Sequence, residues 1–167
     1  IAPSAHTHPT PATSQYERFV GQTGADAILG TLMEHGVDRL FGYPGGAIMP
    51  TYHHLRKFPS LQHVQVRIEA TAAFAAQGLA RYTGKLAACV VTSGPGALNT
   101  VTAIRDAHMD SVPLVVIAGQ VPSTLLGTDA FQECPFTEVT SSIAKLSRLA
   151  RTADELPAIM EEACEVA

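Results

Sequence analysis

Two runs, LAACVVT (86–92) and PLVVIAG (113–119), carry one polar side chain between them, Thr92. A strand with a wet face alternates polar and apolar residues. Runs that are apolar throughout belong to strands covered on both faces, which points to a parallel sheet wrapped by helices. Between the two runs, SGPG breaks the chain and 97–109 carries a helical period. The same order of strand, break and helix recurs along the chain. Thr23 caps a helix to about His35, stopped by Gly36, and VDRLFG (37–42) is a strand. YPGG breaks the chain and AIMPTYHHLRKF (47–58) is helical. HVQVRI (63–68) is a strand, followed by a helix from Glu69 to Tyr82. Beyond PLVVIAG comes a long loop, 120–140, then a fifth strand in KLSRLA (145–150). Thr152 and Glu155 form a capping box that opens a last helix. The fold class expected is α/β, a parallel sheet of about five or six strands with helices on both faces.

In such sheets ligands bind at the carboxyl ends of the strands. That edge receives YPGGA, Glu69, TSGPGALN and the loop GQVPSTLLGTDAFQE. Glu69 sits where an apolar strand feeds an alanine-rich helix, and a carboxylate there has two uses. It can serve the helix start, since the first turn carries partial positive charge. It can also serve a ligand at the rim.

Composition narrows the classes. The 167 residues suffice for one sizeable core, 46% of them are apolar, and the net charge is −4. There is no Lys/Arg run of the kind that grips nucleic acid. No apolar stretch reaches the roughly 20 residues that span a bilayer. Cys89, Cys134 and Cys164 are widely spaced, which fits reduced thiols and neither a disulfide framework nor a zinc site. Residues 1–18, rich in Pro, Thr, Ser and His, read as a flexible arm or the remnant of a targeting segment; 19–167 form the domain.

Each motif also has a plain reading. Pro44-Gly45-Gly46 lets backbone approach another group closely, or makes an ordinary turn. Ser93-Gly94-Pro95-Gly96 before a helix can offer N–H groups to an anion, but matches neither GxGxxG nor a P-loop. Asn99 can serve a ligand or cap locally. The loop around 127–132 is too long for a simple connector, which favours function. His53 and His54 are adjacent, so they share no helix face and read as solvated. Asp106 and Asp110 read as solvated or capping residues, and no metal site is expected. No GxSxG or Cys/His pair marks a covalent nucleophile.

Taken in order, FGYPGGAIMP, TSGPGALN, DAHMDSVPLVVIAGQVPS and GTDAFQE closely resemble the N-terminal, pyrimidine-binding domain of the acetohydroxyacid synthase (acetolactate synthase) family of thiamine-diphosphate enzymes. The resemblance spans about 19–167, and RFVGQTGADA is most similar to fungal members. It implies decarboxylation of pyruvate and condensation with a second 2-keto acid, giving 2-acetolactate or 2-aceto-2-hydroxybutyrate for branched-chain amino-acid synthesis. It implies that Glu69 hydrogen-bonds N1′ of the cofactor's aminopyrimidine and promotes loss of the proton at thiazolium C2. Glu69 and Gln132 would be catalytic. Tyr43, Pro44, Gly45, Gly46, Ala47, Pro95 and Asn99 would border the cofactor. Gly46, Ala47, Pro122, Ala130, Phe131 and Gln132 would line the substrate and inhibitor channel.

The cofactors implied are thiamine diphosphate and, in the complete enzyme, magnesium and FAD, whose main sites the resemblance puts outside these residues. The partners implied are a 2-keto acid, further copies in a homodimer or higher homo-oligomer, and a regulatory subunit. The isolated domain is expected to be inactive, because it holds half of a site. The location implied is mitochondrial, with the bacterial cytoplasm or a plastid as alternatives. Where the family usually reads HEQGA and AAEGYARA, this chain reads IEATA and AAQGLARY. Cys134-Pro135 stands where Ala-Asp is usual. These departures touch proficiency and substrate choice. They also leave two other readings: a different thiamine-diphosphate carboligase or decarboxylase, and a non-catalytic partner domain.

Overall fold

The computed structural model describes residues 13–167, with side chains from Tyr16 onward. Through residue 12, the expected arm lies outside the described residues. From Thr13 to Phe19 the chain is a 3-10 helix. Its Arg18 pairs with Glu34 at 2.6 Å and Glu161 at 3.5 Å. The elements that follow are α1 (Gly24–Glu34), β1 (Arg39–Gly42), α2 (Met49–His54), β2 (Gln62–Gln65), α3 (Glu69–Thr83) and β3 (Ala87–Val91). Then come α4 (Pro95–Leu98), α5 (Val101–Met109), β4 (Leu114–Ala118), α6 (Phe136–Thr140) and α7 (Leu156–Val166).

All strand pairs are parallel, and the sheet order is β2-β1-β3-β4. The apolar runs become β3 and β4, as their lack of alternation requires. Helices cover both faces. On one, Ile28, Leu29 and Leu32 of α1 and Met160 and Cys164 of α7 pack on Leu40, Ala88, Val90, Val115 and Ile117. On the other, Ala72, Ala73, Ala76 and Ala80 of α3 and Ala103 of α5 pack on Phe41, Ala87 and Cys89. The alanine stripe keeps α3 close to the sheet. Each fully buried leucine opposite contributes roughly 1.5–3 kcal/mol by leaving water.

Helix α1 starts as expected. The Asp26 N–H donates to Thr23 Oγ1 at 3.3 Å, and the Thr23 N–H donates to the Asp26 carboxylate at 3.1 Å. Helix α3 ends at Gly84, which is left-handed at φ 68° and donates to the Ala80 carbonyl.

Several expectations are corrected. The described sheet has four strands. Residues 145–150 form no strand: Ser147 bonds to Thr140, Lys145 to the Val166 and Ala167 carbonyls and Arg148 to Glu162, which ties the segment to α6 and α7, and a cavity of about 1020 Å³ is lined by both that segment and β4. The single helix expected over 97–109 is broken at Asn99 and Thr100, where the Thr100 hydroxyl donates to the Ala97 carbonyl at 2.6 Å. This local bond competes with helix continuation. Thr152 makes no capping bond. Glu155 instead accepts from the Arg151 N–H at 2.7 Å, and a 3-10 turn at Ala153–Glu155 opens α7. The loop over 120–140 contains α6.

His54 is not merely solvated: its Nδ1 lies 2.8 Å from Asp26 Oδ1 and 3.2 Å from Thr23 Oγ1. Asp106 and Asp110 are both paired with Arg81, across from α5 to α3.

Candidate functional site

From β1 the chain passes to β2 on one side, then crosses to β3 on the other side of β1. The crevice where an open α/β sheet reverses direction is where ligands bind. Here it lies beyond the carboxyl ends of β1 and β3, between the 43–46 turn and the 92–96 turn. The two turns touch. A Cβ placed on Gly45 would lie 2.5 Å from Thr92 Cβ, and one placed on Gly96 would lie 2.6 Å from Thr92 Cγ2. Both glycines are therefore required by the same side chain, since real Cβ atoms do not approach so closely. Thr92 Oγ1 is buried with no hydrogen-bond partner.

Glu69 is the first residue of α3, which has no side-chain N-cap. Asn99, at the break between α4 and α5, donates its side-chain amide to Glu69 Oε2 at 2.9 Å. The other oxygen, Oε1, faces the Gly96 backbone and would lie 3.3 Å from a Cβ there. Asn99 therefore uses its side chain on Glu69, not as a local cap. The carboxylate belongs to the rim cluster as well as to the helix start.

The structure brings Tyr43, Pro44, Gly45, Glu69, Thr92, Pro95 and Asn99 around this crevice. Gly46 is exposed, with open space where a side chain would be. Ala47 is against Gly119 at the end of β4: a Cβ on Gly119 would lie 3.0 Å from the Ala47 carbonyl group. Pro122, Ala130, Phe131 and Gln132 come from the loop after β4. Of these, Gln132 is brought directly to the crevice, where its carbonyl oxygen would lie 2.5 Å from a Cβ on Gly94. Phe131 is 89% exposed. Pro122 is exposed on the same loop. The 1020 Å³ cavity includes Ala47 and Gly119 but not Glu69, so it adjoins the crevice without containing it.

Sequence reasoning missed two residues here. Thr92 ends the run LAACVVT, and its one signal is being the only polar side chain there; its contacts with Gly45 appear only in the fold. Glu133 was hidden at the end of GTDAFQE. Its carboxylate accepts from the Gly127 N–H and, at 3.2 Å, from the Ala130 N–H.

The departures near Glu69 have definite places. Ile68 is 58% and Phe74 42% exposed. Gln77 is buried and donates to Asp106.

Over residues 22–140 the sequence matches the family described as thiamine pyrophosphate enzyme, N-terminal TPP binding domain. The chain belongs to this family. It is 48% identical over 145 residues to "Acetolactate synthase" of Mycobacterium bovis, covering 87% of this chain and 24% of that protein. It is 44% identical over 162 residues to "Acetolactate synthase, chloroplastic" of Arabidopsis thaliana, covering 97% and 24%. It is 45% identical over 155 residues to "Acetolactate synthase isozyme 1 large subunit" of Escherichia coli, covering 93% and 27%. The chain spans about a quarter of the length of these relatives.

The crevice fits the aminopyrimidine of thiamine pyrophosphate. It offers a carboxylate with one oxygen tied, an unpartnered buried hydroxyl and glycine backbone in both flanking turns. Among the described residues, no three His, Cys, Asp or Glu side chains stand together as metal ligands. No described helix is long and apolar enough to cross a membrane.

Proposed function

We propose that these residues form the pyrimidine-binding domain of an acetolactate synthase that decarboxylates pyruvate and joins the two-carbon unit to a second 2-keto acid, making 2-acetolactate or 2-aceto-2-hydroxybutyrate. The observation that carries this reading is the Asn99-oriented carboxylate of Glu69 at the sheet's switch point. The names of the relatives support the choice among thiamine-diphosphate enzymes.

Thiamine diphosphate, when bound, supplies the acidic carbon and the electron sink that a 2-keto acid needs in order to lose carbon dioxide. Glu69 holds and moves the proton at the pyrimidine N1′, with Asn99 fixing the carboxylate's rotation. Tyr43, Pro44, Gly45, Gly46, Ala47 and Pro95 border the ring, and Thr92 sets the spacing of the two turns. Gln132 and Phe131 face the substrate side, and Pro122 and Ala130 line the approach to it. Magnesium and FAD enter only through the resemblance, which puts their main sites elsewhere in a longer protein.

Self-association as a homodimer or higher oligomer is supported by apolar side chains exposed on the rim and on the helices beside it, Ile68, Phe74, Leu98 and Phe131. A regulatory subunit and a role in branched-chain amino-acid synthesis rest on the resemblance. A mitochondrial location rests on the likeness of residues 18–27 to fungal members alone.

The test is hydrogen–deuterium exchange at C2 of bound thiamine diphosphate, wild type against Glu69→Gln, in the enzyme that carries this domain. Exchange is expected to fall by about 10²–10⁴-fold, the usual contribution of general acid–base catalysis. The melting temperature should hardly move, because a first-turn carboxylate contributes only roughly 0.3–1 kcal/mol. Equal exchange rates would end the assignment.

A further inference from the structure

The carboxylate of Glu133 clasps the loop after β4, beside a Thr128 hydroxyl bond to the Leu125 carbonyl at 2.7 Å. Glu133 Oε1 accepts from the Gly127 N–H and Oε2 from the Ala130 N–H, while the Glu133 N–H donates to the Ala130 carbonyl at 2.8 Å. Inside this clasp the backbone is unusual. Asp129 and Gln132 are non-glycine residues at φ 57° and 62°, and Gly127 is at φ 80°. Left-handed backbone at two such residues persists only where the surroundings enforce it.

The far end is pinned too. The Gln120 side-chain amide donates to the Cys134 carbonyl at 2.9 Å, and its Oε1 accepts from the Val121 N–H at 2.8 Å. The outcome is that the Gln132 carbonyl rests on Gly94 and Phe131 stands out toward solvent.

We infer that Glu133 is a positioning residue: its carboxylate shapes the 127–132 loop so that the Gln132 backbone meets Gly94 beside the Glu69 crevice, with Phe131 presented at the rim, and it thereby sets the affinity for the 2-keto acid. The substrate clause rests on the function proposed above; the clasp itself rests on geometry alone. Backbone N–H groups, that of Gly127 foremost, hold the Glu133 carboxyl below its usual range, so it is present as the acceptor-only anion. The residue type is specified tightly. Each N–H meets its own carboxylate oxygen, and glutamine replaces one of the two with an NH₂ group that can only donate. Aspartate is one methylene short of spanning both.

The experiment compares wild type, Glu133→Gln and Glu138→Gln in the intact enzyme. Glu138 is an exposed acid on the next helix, so it controls for the same loss of charge without the clasp. Amide hydrogen exchange across 127–132 should speed up by about tenfold in Glu133→Gln and stay at the wild-type rate in Glu138→Gln. KM for the 2-keto acid should rise about five- to tenfold in Glu133→Gln, with kcat within about twofold. A role in stability alone would leave KM of the folded fraction unchanged. Unaltered loop exchange in Glu133→Gln would overturn the clasp, and faster exchange with unchanged KM would overturn the positioning role. If the wild type consumes no 2-keto acid, the functional reading fails, while the exchange arm still decides the clasp.

Discussion

Thr92 shows how much one side chain can decide. Its Cβ and Oγ1 lie under Gly45, at 2.5 and 2.6 Å from a Cβ placed there, while Cγ2 lies under Gly96 at 2.6 Å. Cγ2 also comes within 2.8 Å of a Cβ on Gly45, so Gly45 meets all three atoms while Gly96 meets chiefly Cγ2. Gly45→Ala and Gly96→Ala should each destabilise by about 1–3 kcal/mol through overpacking. Thr92→Ser removes Cγ2 and keeps Cβ and Oγ1. It should rescue Gly96→Ala, with a coupling of at least about 0.5 kcal/mol, and leave Gly45→Ala unrescued. Denaturant melts of the single and double variants measure both couplings. Equal rescue of the two would contradict the packing described here. Glu69 belongs to the same scale. Its placement at a strand-to-helix junction was legible, but its partner Asn99 was not, because the two are 30 positions apart and meet only once α3 and α4 are packed.

At the scale of elements, α1 and α2 are joined by the Asp26 carboxylate. Its side chain is 7% exposed and receives His54 at 2.8 Å and Lys57 Nζ at 3.0 Å, beside its capping bonds with Thr23. Burial by itself raises this carboxyl. Hydrogen bonds from His54, from the Thr23 side chain and backbone and from Lys57 outweigh it and hold the group far below the usual carboxylate range. A folded value below the unfolded one gives stability that is fully present above the unfolded value near 3.8 and is lost as pH falls through the folded value. Asp26→Asn should therefore lower stability by about 1.5–3 kcal/mol at neutral pH. The gap should narrow as pH falls below about 4. Urea midpoints of both proteins across that range check this; a gap that stays constant would remove Asp26 from the acid limb. The capping box of α1 could be read from TGAD, where Thr and Asp sit three apart. The look-alike at Thr152 could not be told from it, because its outcome depends on how the chain enters α7.

For the whole molecule, all three cysteines are buried and free. Burial pushes the Cys89 and Cys164 thiols up to about 12, and raises Cys134 as well. At pH 8 a thiol at about 12 is ionised to the order of 10⁻⁴. Native protein should thus react very slowly with a thiol-exchange reagent, and unfolding should release three reactive thiols. Fast labelling of Cys89 in the native state would contradict its place in the alanine-lined core. This core is why the molecule resembles its sequence so closely. Leu29, Leu32, Leu40 and Val90 on one face and the alanines of α3 on the other are periodic in the chain and buried in the fold.

The amino-acid pattern alone determined the parallel sheet, the helices on both faces and the edge on which the functional turns lie. Those features follow from apolar runs without alternation, from the helical period of 3.6 and from glycine breaks, which are local properties. Only the tertiary structure decided the strand order β2-β1-β3-β4, and with it the crevice between the 43–46 and 92–96 turns. It alone gave Asn99 to Glu69, Thr92 to Gly45 and Gly96, and Gln132 to Gly94. It also kept 145–150 out of the sheet, although that segment reads as a strand. The physical reason is the same in each case. A pairing between distant residues depends on which elements are neighbours, and neighbourhood is set by how the helices bury their faces, not by any one segment's own preference.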